Sequence, residues 1–357
     1  MINNNNIAIK SRLYDYSVTF IQDFAQAIAG IEGNCVYVID RNVYSLYQQK
    51  LAGLEQERIY FIDAIESKKN IDTIMDLIRF WRKLGMRKNW KVICIGGGIT
   101  QDIVTFASNI FLRNVEWIFF PTTLLSMCDS CIGGKCGINL DDYKNQLGVF
   151  YPPKQIYIAT EFLGTILDAD YINGWGELLK FSLTIDTSFY ESIENEKEYI
   201  PCPNIDKYIY RGLIVKKNII EQDEFENDLR RVLNYGHTFG HALEAYTKNA
   251  IPHGKAVIWG IDVVNYIAWK ANIFSEHDYR RIKALIKRVF IPEEISIAQP
   301  EKLFSIISTD KKVKDKTIFL VLPDQISNLL IYPMVLDATF ESMFEVYLKE
   351  THDYYND

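Results

Sequence analysis

Val92-Ile-Cys-Ile95-Gly96-Gly97-Gly98-Ile-Thr-Gln101-Asp102-Ile-Val-Thr-Phe-Ala-Ser-Asn-Ile-Phe-Leu112 decides the fold class of this chain. Four apolar residues in a row read as a short buried strand over 92–95, and a helix follows over about 101–112. The glycine triplet between them is a phosphate-binding arrangement. Glycine lets the backbone come close to a pyrophosphate, and a helix N-terminus favours negative charge. The spacing is not G-x-G-x-x-G, and a plain tight turn uses the same glycines. Working outward, strands are expected at 36–39, 58–62, 117–120 and 155–158. A helix is expected at 71–84, on the apolar spacing of Ile71, Ile74, Leu77, Ile78 and Trp81. Such alternation predicts a mostly parallel sheet with both faces covered. Asp40 closes the first of these strands, where an acidic residue either accepts hydrogen bonds from a ribose diol or caps a helix.

Beyond about residue 170 the texture becomes helical, with helices expected at 171–193, 205–222, 230–246, 256–271, 276–289 and 334–348. Pro201 and Pro203 break between two of them, and 317–322 reads as a short strand. The expected fold is therefore α/β + α. A Rossmann-like, mostly parallel domain over 1–168 precedes a mainly helical, metal-binding domain over 169–357, with the active site in the cleft between them.

The chain has 357 residues, enough for two cores, and its composition is that of an ordinary soluble protein, 48% apolar and 24% charged. A net charge of −7 argues against nucleic acid as a partner. No basic start precedes an apolar leader core, and no run approaches the ~20 apolar residues of a membrane span. A cytoplasmic protein without a membrane partner is expected. Six cysteines are too few for a disulfide framework in this length. Cys128-x-x-Cys131 with Cys136 invites a metal reading, but no fourth ligand stands at a familiar offset, and packed thiols explain the group as well.

Three of the five histidines, His237, His241 and His253, fall in one window. His237 and His241 are four apart and share a helix face, although Thr238 stands where a zinc-protease motif needs glutamate. Glu177 lies in Gly174-Trp-Gly-Glu177-Leu-Leu-Lys180, on an otherwise buried helix. A buried carboxylate requires a partner, and a cation would supply one. Histidines bonded to backbone carbonyls within a helix pair are the plainer alternative.

Two long segments carry a resemblance. The first is Pro121-Thr-Thr-Leu-Leu-Ser-Met-Cys-Asp129-Ser-Cys-Ile-Gly-Gly-Lys135-Cys-Gly-Ile-Asn139, continuing as Lys144-Asn145-Gln-Leu-Gly-Val-Phe-Tyr-Pro-Pro. The second is Asp223-Glu224, then Leu229-Arg230-Arg-Val-Leu-Asn234-Tyr-Gly-His237-Thr-Phe-Gly-His241-Ala-Leu-Glu, then His253-Gly. They closely resemble the 3-dehydroquinate synthase family of sugar-phosphate cyclases, over most of the chain from about 36 to 322. The resemblance implies NAD as cofactor, held by Gly97, Gly98 and Asp102 in the glycine loop. Asp40, Glu66 and Lys69 match the adenosine end. Thr122, Thr123, Lys144, Phe162 and Thr165 match further contacts, with Asp129 and Lys135 bordering the same side. It implies Glu177, His237 and His253 as ligands of one divalent metal, zinc first and cobalt as a substitute. His241 becomes a substrate-side residue, which replaces the pairing of His237 with His241. Asp129, Lys135, Asn145, Lys180, Lys216, Arg230, Asn234 and His241 match the substrate pocket. Arg113 matches an arginine that reaches a neighbouring site across a homodimer. Asp310-Lys311-Lys312 matches a late motif that supplies one more lysine, Lys311 or Lys312.

The activity so implied converts 3-deoxy-arabino-heptulosonate 7-phosphate to 3-dehydroquinate. Transient oxidation, β-elimination of phosphate, reduction and an intramolecular aldol step follow one another, with no net redox change. Arg113, Lys135, Asn145 and the late lysine would hold phosphate, and Lys216 with Arg230 the carboxylate. Asp129 and Lys180 would position hydroxyls. Cys136, Lys255, Asn114, Ser182 and the Thr100-Gln101 pair depart from the usual pattern, and Lys255 reverses a charge close to a matched metal ligand. The alternatives are a sister cyclase taking an amino analogue, sedoheptulose 7-phosphate or glucose 6-phosphate, a metal-dependent NAD polyol dehydrogenase, and a non-catalytic binding paralogue.

Overall fold

The computed structural model describes residues 6–141, 143–289, 295, 297–309 and 313–354. In chain order the strands and helices begin with β1 (Asn6–Ile9), β2 (Tyr16–Phe20), α1 (Phe24–Ala29), β3 (Cys35–Asp40), α2 (Arg41–Leu46), α3 (Gln48–Leu51), β4 (Ile59–Ile62) and α4 (Ile71–Lys83). Then come β5 (Lys91–Gly96), α5 (Gly98–Ile110), β6 (Trp117–Pro121), β7 (Ile138–Leu140), β8 (Tyr143–Leu147) and β9 (Gln155–Ile158). The remainder is α6 (Asp168–Ser182), α7 (Thr187–Glu194), α8 (Ile205–Ile220), α9 (His237–Tyr246), α10 (His253–Lys270), α11 (Glu276–Val289), α12 (Pro300–Ser308), β10 (Val313–Lys314), β11 (Thr317–Gln325), β12 (Asn328–Val335) and α13 (Ala338–Tyr354).

Two compact units emerge. The first comprises 1–167 and 206–225, the second 168–205 and 226–357. The helix at 205–220 therefore belongs with the α/β unit, whereas the sequence reading gave it to the helical one. Apolar periodicity shows that a helix has a buried face but not what covers it.

The first unit is built on a seven-stranded sheet in the order β1-β2-β9-β6-β5-β3-β4. Only the β1–β2 pair is antiparallel. The central strands are continuous apolar runs because both faces are covered: every residue of β6 is buried, as is all of β5 beyond Lys91. Helix α4 buries Ile74, Leu77 and Trp81 completely, while Ile71 at its start is exposed. Asn70 caps it by accepting from the Thr73 amide at 2.9 Å. Strand β3 leads to β4 on one side and β5 lies on its other side, so the strand order reverses between β3 and β5. Such a switch point opens a crevice at the carboxyl ends of the strands. Ile39 pairs with Ile95, which sets Asp40 abreast of the glycine turn.

The second unit is a helical bundle with a three-stranded antiparallel sheet, β10-β11-β12. Three expected elements are corrected here. The helix expected at 171–193 is two, α6 and α7, with Asp186 capping the second through the Phe189 amide at 3.1 Å. The helix expected at 230–246 is a 3-10 turn (Leu229–Asn234) followed by α9, separated at Gly236 with φ +75°. L-residues rarely adopt that conformation, so only glycine allows the break cheaply. The helix expected at 334–348 begins at 338, and Met334 belongs to β12, paired with Ile318. Strands β1 and β2 and the β7–β8 hairpin, too short for periodicity to register, are additions. Among the described residues no helix is long and apolar enough to cross a membrane.

Candidate active site

At the switch point, Gly97 is the N-cap of α5, no side chain caps that end, and no acidic residue sits in the first turn. The first amides of a 13-residue helix therefore point outward with their partial positive charge. A Cβ on Gly97 would lie 3.0 Å from Thr123 Cγ2, whereas one on Gly98 would meet nothing within 4 Å. The turn thus packs on the 122–123 segment and leaves the space beside Gly98 open. Asp40 caps α2, accepting from the Asn42 amide at 2.9 Å, and burial raises its carboxyl above the ordinary range. The cap reading of Asp40 is thus what the structure displays, and its second oxygen keeps the ribose reading open.

Beside the turn lies a charged network. Lys69, buried, reaches Asn145 Oδ1 at 2.7 Å and Asp102 Oδ2 at 3.2 Å. Glu66 Oε1 accepts from Asn139 at 2.8 Å. Asp102 is pushed up to about 6, chiefly by burial, with Lys69 pulling it back. Asn145, matched to the substrate pocket, therefore shares Lys69 with Glu66 and Asp102, which are matched to the nucleotide side. Gln101 and Ser130 clamp α5 to the following π-helical turn (Ser126–Ser130) by hydrogen bonds of 2.6 and 2.5 Å, and sequence reasoning missed this pair. That turn presents Asp129, which Lys216 of α8 meets at 2.5 Å through the carboxylate and 2.7 Å through the carbonyl. Phe162 is buried against Phe24 and Tyr47, so its ring belongs to the core. Thr165 lies 3.0 Å from the Tyr47 hydroxyl, and the Thr122 amide donates to Gly96 at 3.0 Å. Lys135 and Lys144 are exposed, as is Arg113 in a turn of three positive-φ residues.

Cys128 and Cys131 hydrogen-bond weakly to backbone carbonyls within the π-helical turn. Burial pushes the Cys131 thiol up to about 12, which keeps it a neutral packed group rather than a metal-ligating thiolate.

The helical unit gathers Glu177 (α6), His237 (first residue of α9) and His253 (first residue of α10). Their donor atoms all lie within 4.8 Å of one another. Glu177 is completely buried, and among the described residues neither carboxylate oxygen receives a well-directed hydrogen bond. Instead the Lys180 ammonium abuts one oxygen, and His253 Nε2 and His237 Nε2 lie 3.3 and 3.7 Å from the other. Burial would raise this carboxyl, but Lys180 and His253 outweigh it and hold it below the usual range. Burial, then Lys180, depresses His237 well below an ordinary imidazole, so it is neutral with a lone pair to give. Its Nδ1 contacts the Tyr235 carbonyl at 3.0 Å. Burial lowers His253, but Glu177 and Glu244 more than offset this and carry it to about 10. An ionised, buried carboxylate without directed donors, facing two imidazole edges, suits a divalent cation. His241 is exposed, one turn along α9, with its ring 5.3 Å from that of His237. Arg230 is buried in the 3-10 turn, and Asn234 donates to Glu226 at 2.9 Å. Asp310, Lys311 and Lys312 lie outside the described residues.

The triad depends on glycines that sequence reasoning did not single out. Gly176 precedes Glu177, Gly236 precedes His237 and Gly254 follows His253. A Cβ on Gly176 would strike the Gly254 carbonyl, one on Gly254 the Asn173 carbonyl, and one on Gly260 the Gly236 carbonyl. Helices α6, α9 and α10 therefore cross backbone to backbone where Glu177, His237 and His253 sit. A glycine flanking each matched ligand was the signal available.

Solved structures share this architecture. The 2-epi-5-epi-valiolone synthase of Streptomyces hygroscopicus subsp. jinggangensis, with NAD+ and Zn2+ bound, has a TM-score of 0.85 at 24% identity over 97% of this chain and 99% of that one. A 2-deoxy-scyllo-inosose synthase complexed with carbaglucose-6-phosphate, NAD+ and Co2+ has a TM-score of 0.83 at 20% identity, over 95% and 99%. The class is first one of fold: this chain shares the fold of these two cyclases. Sequence resolves it further. The 3-dehydroquinate synthase N-terminal family description matches residues 59–173 and the C-terminal one residues 174–313. The 3-dehydroquinate synthase of Prochlorococcus marinus (strain AS9601) is 35% identical over 297 residues, 81% of each chain. This chain belongs to the 3-dehydroquinate synthase family, and it is an enzyme, a lyase-type cyclase.

Proposed function

We propose that the chain converts 3-deoxy-arabino-heptulosonate 7-phosphate to 3-dehydroquinate and inorganic phosphate, with NAD and one divalent metal, zinc in the first place. The observation that carries this reading is the buried Glu177 carboxylate converging with His237 and His253 beside Lys180. Bound NAD would supply a hydride acceptor that gives the hydride back, and the metal would supply Lewis acidity towards a hydroxyl oxygen. Glu177, His237 and His253 would hold the metal. The open amides of α5 above Gly97 and Gly98 would receive the pyrophosphate, and Asp40 the ribose diol.

The chain's own residues then bind and orient. The net reaction breaks one C–O bond to phosphate and forms one C–C bond, so holding a single molecule in order matters most. Lys180, buried against Glu177, would direct its ammonium to a substrate hydroxyl beside that carboxylate. Arg230 and Lys216 would take the carboxylate, and Lys216 already holds Asp129, which would orient a hydroxyl. Lys135, Asn145 and Arg113, the last from a neighbouring subunit of a homodimer, would take the phosphate. A cytoplasmic setting fits a substrate of this kind. Lys216 and Arg230, both buried and both at positions matched to the carboxylate-holding residues of the family, support a carboxylate-bearing substrate over sedoheptulose 7-phosphate or glucose 6-phosphate.

The test is incubation of the purified protein with NAD, zinc and 3-deoxy-arabino-heptulosonate 7-phosphate, with phosphate assay and identification of the product by mass and NMR. The amino analogue, the two carboxylate-free sugar phosphates and simple polyols run in parallel. Phosphate release with dehydroquinate and no accumulated NADH is expected. Turnover of a carboxylate-free sugar phosphate alone would overturn the substrate assignment, and NADH accumulation with polyols would make the protein a dehydrogenase.

A further inference from the structure

His253 uses both edges of its ring. Nε2 lies 3.3 Å from Glu177 Oε1, and Nδ1 lies 3.3 Å from Glu244 Oε2. Glu244 stands on α9, seven residues beyond His237, with its side chain 15% exposed. A second donor group, His241, Glu244 and His253, is therefore gathered beside the first. The two groups share His253, and that sharing decides what the second is. A neutral imidazole has one lone pair and one N–H. If the Nε2 lone pair faces Glu177 and His237, then Nδ1 carries the proton and Glu244 is its acceptor. Filling both groups with cations would require His253 to give up that proton as well.

We propose that Glu244 is a positioning residue: it accepts the His253 Nδ1–H, fixes the tautomer that turns the Nε2 lone pair towards Glu177, and thereby sets the strength of metal binding. The proposal rests on the metal reading of the Glu177, His237 and His253 group. His237 is fixed in the same way by a backbone carbonyl, that of Tyr235. The two ligand histidines thus differ: one is backed by a neutral acceptor and the other by a carboxylate. A carboxylate makes the imidazole more electron-donating and ties its orientation to α9, the helix that His237 begins. Glu244 is then the residue through which two of the three ligands are held to one another.

The test measures zinc affinity of the full chain by competition with a chromophoric chelator, in the wild type, Glu244→Ala, Glu244→Gln and the ligand control Glu177→Gln. The side-chain 15N shifts of His253 in the zinc-loaded protein report the tautomer. Thermal midpoints of the metal-free proteins show that each variant is folded. The expected result is a roughly 10–100-fold loss of zinc affinity in Glu244→Ala. A smaller loss is expected in Glu244→Gln, whose amide oxygen still accepts from Nδ1–H, and loss of tight binding in Glu177→Gln. Wild-type affinity in Glu244→Ala, with Glu177→Gln impaired, would overturn the role of Glu244 and leave the metal site standing. Equal affinity in Glu177→Gln and the wild type would overturn the metal reading itself. Two zinc equivalents bound tightly, with the second lost in Glu244→Ala, would make Glu244 a ligand and overturn the proposal. If the alanine variant does not fold, Glu244→Asp, which withdraws the carboxylate by one methylene, gives the same comparison with Glu244→Gln.

Discussion

Asp102 lies beside the glycine turn with one oxygen on Lys69 and the other 3.4 Å from the Gly137 amide. Burial is the larger influence and lifts it from 3.8 to about 6, with Lys69 opposing. The folded value is above the unfolded one, so between them the folded state binds the additional proton. The stability contributed by this group is therefore greatest at low pH and falls as pH rises through about 6. Asp102→Asn removes that dependence. In the cofactor-free protein, urea unfolding of the first unit is expected to lose its downward slope between about pH 4 and 6. An unchanged slope would show that Lys69 already neutralises the carboxylate. Lys69 also holds Asn145, so loss of the Asp102 charge is expected to loosen the β8 strand that carries Asn145. Faster amide exchange over 143–147 reads this out.

Helices α6, α9 and α10 bring the triad together because glycines let their backbones touch. Gly260 faces the Gly236 carbonyl, and the position a Cβ would take on Gly236 is 2.7 Å from the Val257 carbonyl. Gly260→Ala must push α9 away from α10 and carry His237 with it. Overpacking of this kind costs ~1–3 kcal/mol, and here the neighbour is backbone, which yields least. The expected outcome is a thermal midpoint several degrees lower together with reduced zinc content, measured by scanning calorimetry and by metal analysis of the purified variant. Full zinc content would mean that the ligands find each other without this crossing. The same elements show what the sequence disclosed. Strands β3, β5 and β6 were legible because burial on both faces makes them unbroken apolar runs. The break at Gly236 was not, because apolar spacing continues across it and only the backbone angle marks it. Met334 was drawn into a helix because β12 is apolar on both sides of Pro333. The motif strings that carry the family resemblance implied Glu177, His237 and His253 as one group, and the structure brings the three together. The role of Glu244 was not legible, since it depends on the end of α9 returning to the start of α10.

The two units divide the proposed ligands between them. The glycine turn, Asp40 and Asp102 belong to the first unit, and Glu177, His237 and His253 to the second. The return of α8 to the first unit, invisible to periodicity, puts Lys216 on Asp129 and so gives each unit an ion pair made by a buried lysine, Lys216–Asp129 in one and Lys180–Glu177 in the other. A ligand that binds only the folded form stabilises it by about 2.7 kcal/mol at a hundredfold excess over its Kd. For units of this size that is roughly 5–10 °C. The stabilisation should fall on the unit that holds the ligand. Hydrogen exchange resolved by peptide separates the two. NAD alone is expected to slow exchange over 96–102, and zinc alone over 174–180 and 236–256. His237→Ala should abolish the zinc response and leave the response to NAD. If zinc instead protected the glycine turn as strongly as the triad, the units would unfold as one cooperative body, and metal binding would be felt by the nucleotide side before any substrate is present.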